Sequence, residues 1–229
     1  MKEKDAGVKW FNTIFYPQNK SARAVFLEDK ILNRLRQKDV ILFTPWGPRY
    51  DWAIRGSIIK SDDKEIKVLH FLSLILKQFK KNMPDKKISW IFLGADIYGT
   101  KVNNLPSKIV GEYFSSLEQK VLELIPEAQF YLWSEFDEQA EEYRSLIRKN
   151  FYNFVSPDLL KSAIRTARAM RRGSDPKDYL IERLAEAMFI EKKFEPIKIS
   201  CVNRYKDDGV DWELPRLYFL SQDLHAPWM

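Results

Sequence analysis

The sequence predicts an α/β fold: a Rossmann-like, doubly wound, mainly parallel sheet with helices on both faces and a C-terminal antiparallel hairpin. Three observations carry the prediction. Residues 40–43 are apolar without alternation, as in a strand covered on both faces, and the runs at 88–93 and 128–133 read as a second and a third strand. The first two runs each end in a polar loop followed by an amphipathic helix, and this repeated order is that of parallel strands joined by crossover helices. Two late strand-like runs, 197–202 and 216–220, flank the turn-forming Lys206-Asp-Asp-Gly209.

Taken in order, residues 1–20 are polar and weakly patterned, a loosely ordered N-terminal segment of what reads as one domain over 1–229. Residues 22–37 spell a helix that packs through Val25, Phe26, Ile31, Leu32 and Leu35. Asp62 with Glu65 three residues on resembles a capping box, and Ile66, Leu69, Leu72, Ile75, Leu76 and Phe79 then recur at helical spacing. A helix beginning near Pro106 is expected to bury Ile109, Tyr113, Leu117, Val121 and Leu124. Ser134 with Asp137 is expected to cap the helix after the third strand. Ser156-Pro157 and Asp175-Pro176 place a capping residue before a first-turn proline and so start two more. No internal repeat, low-complexity segment or linker divides the chain.

With 229 residues, 45% hydrophobic and 14% aromatic, the chain buries a sizeable core. It shows neither a secretory leader nor an apolar run of the roughly 20 residues that span a bilayer, so a soluble, cytoplasmic protein without membrane contact is expected. The single cysteine, Cys201, excludes an internal disulfide framework, and with only His70 and His225 a zinc site of nitrogen and sulfur ligands is disfavoured. A net charge of +6 is compatible with an anionic partner, including transfer RNA, but 38 basic and 32 acidic residues are interspersed rather than gathered in a tail.

Ligands of open α/β sheets sit beyond the carboxyl ends of the strands. That rule selects Arg49 and Tyr50 in the loop after the first strand, and Asp96, Tyr98 and Lys101 in the loop after the second. Asp96 is the candidate for orienting an amine or removing a proton, against the alternative of a turn aspartate bonded to local backbone amides. Neither loop carries the glycine fingerprint for dinucleotides or the Walker lysine motif, so no cofactor is expected. Lys161, Arg165, Arg168 and Arg172 recur at intervals of four, three and four, one stripe of a helix. Such a stripe is ordinarily a solvated face; its end, Arg171, Arg172 and Ser174, is the candidate phosphate clamp. Tyr179 and Glu182 lie three apart on the next helix, with Glu182 a possible general base.

The order of these features resembles the pyoverdine and dityrosine biosynthesis family that contains the isonitrile synthases. The likeness rests on 40–48 followed by Asp62 and Glu65, on 88–96 followed by Tyr113, on 165–174, on Phe194-Glu-Pro-Ile-Lys-Ile-Ser200, and on Ala226-Pro-Trp228. Gly47-Pro-Arg-Tyr50, Gly94-Ala-Asp96 and Cys201-Val-Asn-Arg204 depart from that family's loops. The resemblance implies a transferase or synthase of secondary metabolism that converts an amino acid amine to an isonitrile with ribulose 5-phosphate as carbon source. Arg49 or Arg172 would then hold the phosphate and Asp96 the amine. Two alternatives stand beside it: a transfer-RNA-dependent enzyme like the cyclodipeptide synthases, to which Tyr179 and Glu182 are comparable, and a binding protein that keeps the fold without the chemistry.

Overall fold

Strands separated by long helical segments pair in parallel, because a crossover must return the chain to the same edge of the sheet before the next strand begins. The computed structural model describes residues 15–16, 29–47, 50–51, 57–58, 63–102, 104–169, 175–202 and 216–219. Over these the chain runs β1 (Phe15–Tyr16), α1 (Asp29–Arg36), β2 (Asp39–Trp46), β3 (Tyr50–Asp51), β4 (Ser57–Ile58), α2 (Asp63–Asn82) and β5 (Lys87–Gly94). A π turn (Tyr98–Val102), α3 (Ser107–Leu124), β6 (Ala128–Leu132) and a 3-10 turn (Trp133–Phe136) follow. The remainder is α4 (Asp137–Lys149), α5 (Phe151–Phe154), α6 (Pro157–Ala169), α7 (Pro176–Phe194), β7 (Ile197–Val202) and β8 (Arg216–Phe219).

The protein is α/β, and β7-β2-β5-β6 form a four-stranded, all-parallel set. β8 lies outside β7, paired antiparallel to it, and β1 runs parallel to β8. The connection through 203–215, with the expected turn at Lys206–Gly209, lies outside the described residues. β3 and β4 form a separate two-stranded ribbon.

Strand alternation divides the core in two. Val40, Leu42, Trp90, Phe92 and Phe130 join α1, α2 and α3 in one cluster, whereas Phe43, Ile91 and Leu93 join α4, α6 and α7 in the other. Among the largest fully buried side chains are Trp90, Trp133, Phe43, Phe79 and Phe92. Burying one such side chain contributes on the order of 1.5–3 kcal/mol.

Several local expectations are revised by packing. The first strand continues beyond Phe43 through Thr44, Pro45 and Trp46, which pair in register with Phe92, Leu93 and Gly94 of β5. Trp46 C=O accepts from Ala95 N–H at 2.9 Å, so by alternation the backbone of Pro45 faces away from β5. On that side the β2–β7 register covers only Leu42 and Phe43, so the missing proline N–H leaves no ladder bond unmade. On α3, Ile109 is exposed and Leu124 half-buried; Val110, Tyr113, Phe114, Leu117 and Val121 form the buried stripe. Ser134 does not cap α4, whose N-cap residue is Phe136. Ser156 and Asp175 do cap: Ser156 Oγ accepts from Leu159 N–H at 3.2 Å and Asp175 Oδ1 from Lys177 N–H at 2.8 Å. Asp62 lies outside the described residues.

Candidate functional site

At the carboxyl end of β5, Gly94 leaves room for the Phe114 side chain of α3 and the Leu132 side chain of β6 to close over the strand. A Cβ there would lie 2.8 Å from Phe114 Cδ1 and 2.9 Å from Leu132 Cδ2. Past this pinch, Asp96 Oδ1 accepts from the Ser134 backbone N–H at 3.0 Å and joins the loop after β5 to the turn after β6. Thr100 Oγ1 donates to the Asp96 carbonyl at 3.1 Å and tightens the π turn. Over these tied loops lies a cleft of about 570 Å³ between the π turn, α4 and the start of α7.

The polar wall of the cleft is a relay of ion pairs. Arg144, with 5% of its side chain exposed, grips Glu182 through Nε to Oε2 and Nη2 to Oε1, both at 2.8 Å. It also donates to Asp137 Oδ1 at 2.6 Å, to the Asp137 carbonyl at 2.8 Å and to Glu141 Oε2 at 3.2 Å. Trp133 Nε1 donates to Glu182 Oε1 at 2.6 Å. Lys101 pairs with Asp137 at 3.1 Å and Arg148 with Glu141 at 2.6 Å. Burial raises the Asp137 pKa, but the Lys101 hydrogen bond and the Arg144 charge outweigh it and hold this carboxyl below its ordinary value. The Arg148 hydrogen bond, with Arg144, holds Glu141 low as well.

Among the described residues, every cation on the wall is thus engaged by a carboxylate. The lining carries five carboxylates, Asp137, Glu141, Asp175, Asp178 and Glu182, against Lys101, Arg144 and Arg148. The excess negative charge sits at Asp175 and Asp178, both exposed at the start of α7. Neither forms an ion pair among the described residues.

Beneath the cleft, Arg183 lies over the Tyr98 ring at 3.7 Å from its centroid, with Nε donating to Tyr179 Oη and Nη1 to Glu186 Oε2, each at 3.4 Å. Burial pushes the Tyr98 hydroxyl and the Glu186 carboxyl up from their ordinary values. At the carboxyl end of β2, on the other face of the sheet, Trp46 Nε1 donates to Tyr113 Oη at 3.1 Å and Tyr113 Oη donates to Glu65 Oε1 at 2.7 Å.

Of the candidate residues, Lys101 lines the cleft, Asp96 supports its floor through Ser134, and Tyr98 is buried in the layer below. Glu182 lines the cleft, but both its oxygens accept from Arg144 and Trp133, an arrangement that fixes the carboxylate rather than freeing it as a base. Arg49, Arg171, Arg172, Ser174 and the Tyr50 side chain lie outside the described residues, as does the Arg168 side chain; Lys161 and Arg165 are exposed on α6. Asp137, Glu141, Arg144 and Arg148 went unselected by the strand-end rule. Their intervals of four, three and four match those of the basic stripe on α6, but here two acidic residues are followed by two basic ones.

Fold and cleft together define an α/β protein with a polar cleft at the carboxyl ends of parallel strands. Comparison with protein-family models, curated proteins and solved structures gave no match. Among the described residues no helix is long and apolar enough to cross a membrane, and no group of three or more His, Cys, Asp or Glu is placed to hold a metal ion.

Proposed function

We propose that the protein acts on an amino acid whose ammonium group enters the cleft between the π turn, α4 and α7, as part of a small-molecule synthase resembling the isonitrile synthases. The observation that carries this is the charge balance of the cleft: among the described residues its three cations are already held by carboxylates, and Asp175 and Asp178 remain for a cationic ligand group. Asp175, held by the Lys177 backbone N–H, and Asp178 attract an ammonium, and a carboxylate-rich wall repels a phosphate. The sugar phosphate of the synthase reading is therefore assigned to the arginines at 49, 171 and 172, and the cytoplasmic location and doubly wound, Rossmann-like topology with its C-terminal hairpin belong to the same reading. Asp96, tied to Ser134, acts in it by holding the two strand-end loops together.

Isothermal titration with a panel of L-amino acids and their N-acetyl derivatives tests the amine site. The free amino acids are expected to bind, N-acetylation to weaken binding at least about tenfold, and Asp178→Asn to do the same, since loss of a charge-assisted bond removes roughly 1.5–3 kcal/mol. Asp175→Asn is the gentler companion, because asparagine caps a helix as well as aspartate does. Equal binding of acetylated and free amino acids would refute the amine site. Mass spectrometry with labelled ribulose 5-phosphate tests the chemistry: amine binding without a labelled isonitrile would leave the binding-protein reading in its place.

A further inference from the structure

The opposite edge of the sheet has the opposite charge. Here β2 and β5 begin, with Asp39 in register with Lys87, and Lys87 N–H donates to the Lys38 carbonyl at 2.9 Å. α1 ends at Arg36 and α2 at Asn82, and Lys86 Nζ bridges back to the carbonyls of Arg36 and Gln37 at 3.1 and 2.7 Å. Lys80 is neutralised by Glu127 at 2.6 Å, just before β6. Arg36, Lys38, Lys77, Lys81 and Lys87 are exposed and form no ion pair among the described residues.

Helix dipoles account for part of this clustering, since cations favour the last turn of a helix, where Lys80 and Lys81 stand. They do not account for Lys38 and Lys87, which stand at strand starts. Asp39 and Asp85 are exposed acidic residues at this edge, outnumbered by its cations, and the neutral polar groups Asn33, Gln37, Gln78 and Asn82 are exposed amides. Among the described residues the exposed large hydrophobic side chains, Leu74, Ile109, Leu122, Leu146 and Tyr152, belong to helices and none to this edge's strand starts or connecting turns; Leu74 alone stands near the patch, on the α2 face of Lys77 and Lys81. A membrane surface asks for an apolar wedge and a single strand for stacking aromatics, whereas lysine, arginine and side-chain amides together are the groups that contact phosphate and sugar of a duplex.

We infer that the amino edge of the sheet, through Arg36, Lys38, Lys77, Lys81 and Lys87, binds the phosphodiester backbone of a nucleic-acid duplex without reading its sequence. The surface is separate from the cleft, and its test is independent of the amino acid reading. Fluorescence anisotropy of labelled 20-base-pair DNA and RNA duplexes over a salt series measures it. Five phosphate contacts on DNA give a slope of about −4.5 in log K against log salt, a loss on the order of 500-fold between 50 and 200 mM. The triple variant Lys38→Gln/Lys81→Gln/Lys87→Gln should flatten the slope by about 2.7, with an unchanged circular dichroism spectrum showing that it folds. The reversal Lys81→Glu alone, on an exposed helix end, should weaken binding further than Lys81→Gln.

Similar affinity for unrelated duplex sequences supports the inference, and DNA and RNA arms distinguish the two backbones. It is overturned if the protein does not bind either duplex at 50 mM salt, if the triple variant keeps the wild-type slope, or if Lys161→Glu/Arg165→Glu on α6 abolishes binding while the edge variants do not. Salt-sensitive binding to phosphatidylserine vesicles in the absence of duplex binding would also overturn it, by assigning the patch to a lipid surface.

Discussion

Replacing Arg144 with methionine keeps most of the side chain's apolar volume and removes its charge. Wild-type Arg144 makes two 2.8 Å bonds to Glu182 and a 2.6 Å bond to Asp137, with 5% of its own side chain exposed. Glu182 is 13% exposed and would keep only the Trp133 bond, whereas Asp137 and Glu141, 39% and 52% exposed, would rehydrate. Removing one partner of a buried pair costs about 3–5 kcal/mol; with the two exposed carboxylates discounted for solvent screening, about 3 kcal/mol is expected. For a domain of this length that lowers Tm by roughly 6–12 °C. Urea unfolding followed by tryptophan fluorescence measures the free energy, and Arg144→Met/Glu182→Gln provides the second arm of the cycle. The double variant retains an acceptor for Trp133, has no stranded charge, and should return to within about 1 kcal/mol of wild type. A single variant as stable as wild type, or a double variant destabilised by the sum of its parts, would refute the reasoning. Acid provides a further sign: Asp137 and Glu141 are held below 3.8 and 4.5, so the stability they contribute is present above those values and lost as pH falls below them. Arg144→Met should therefore lose less stability than wild type between about pH 5 and 3.

Three further substitutions probe other parts of the argument. Gly94→Ala forces a methyl against Phe114 and Leu132 and should destabilise by about 1–3 kcal/mol in urea; a neutral outcome would show that α3 yields at the pinch. Tyr113→Phe removes the hydroxyl shared by Trp46 and Glu65 and should cost about 1–3 kcal/mol with a change in Trp46 fluorescence, and an unaltered spectrum would count against the relay. Burial raises the Glu186 carboxyl above 4.5 in the folded protein, so wild type loses stability as pH rises from 4.5 toward that raised value. Glu186→Gln escapes that loss, and its Tm relative to wild type should be more favourable at pH 8 than at pH 4; an equal difference at both would refute the assignment.

Much of the framework was legible in the sequence because β2, β5 and β6 centre on short, mainly apolar runs, each bounded by polar loops and helical periods. The limits of β2 were not, since proline and threonine read as loop formers; the bond from Trp90 Nε1 to Thr44 Oγ1 at 3.0 Å and the open side at Pro45 keep them in the strand. Ile109 was misplaced by one position because Val110 offers a near-equivalent apolar neighbour, and the buried face is set by where α3 meets β5 and β6. The cleft was half legible. Strand ends pointed to Asp96 and Lys101, but the Arg144–Glu182 pair joins helices 38 residues apart and depends on how α4 docks on α7, a tertiary fact. Tyr98 shows the same limit in reverse: a polar-ended residue in a strand-end loop, drawn inward because Arg183 covers its ring.

The position of β2 between β5 and β7 has a consequence for synthesis of the chain. β2 and β5 are complete once residue 94 has been made, but β7 begins only at Ile197. Arg34 on α1 likewise waits for its acceptors, Glu191 and the Pro196 carbonyl. At the ribosome's pace of about 5–20 residues per second, one side of β2 remains open for roughly 5–20 s while the intervening hundred or so residues emerge. The β7 side of the nascent sheet is therefore a template for mispairing with other chains during that interval, and its closure couples α1 to α7.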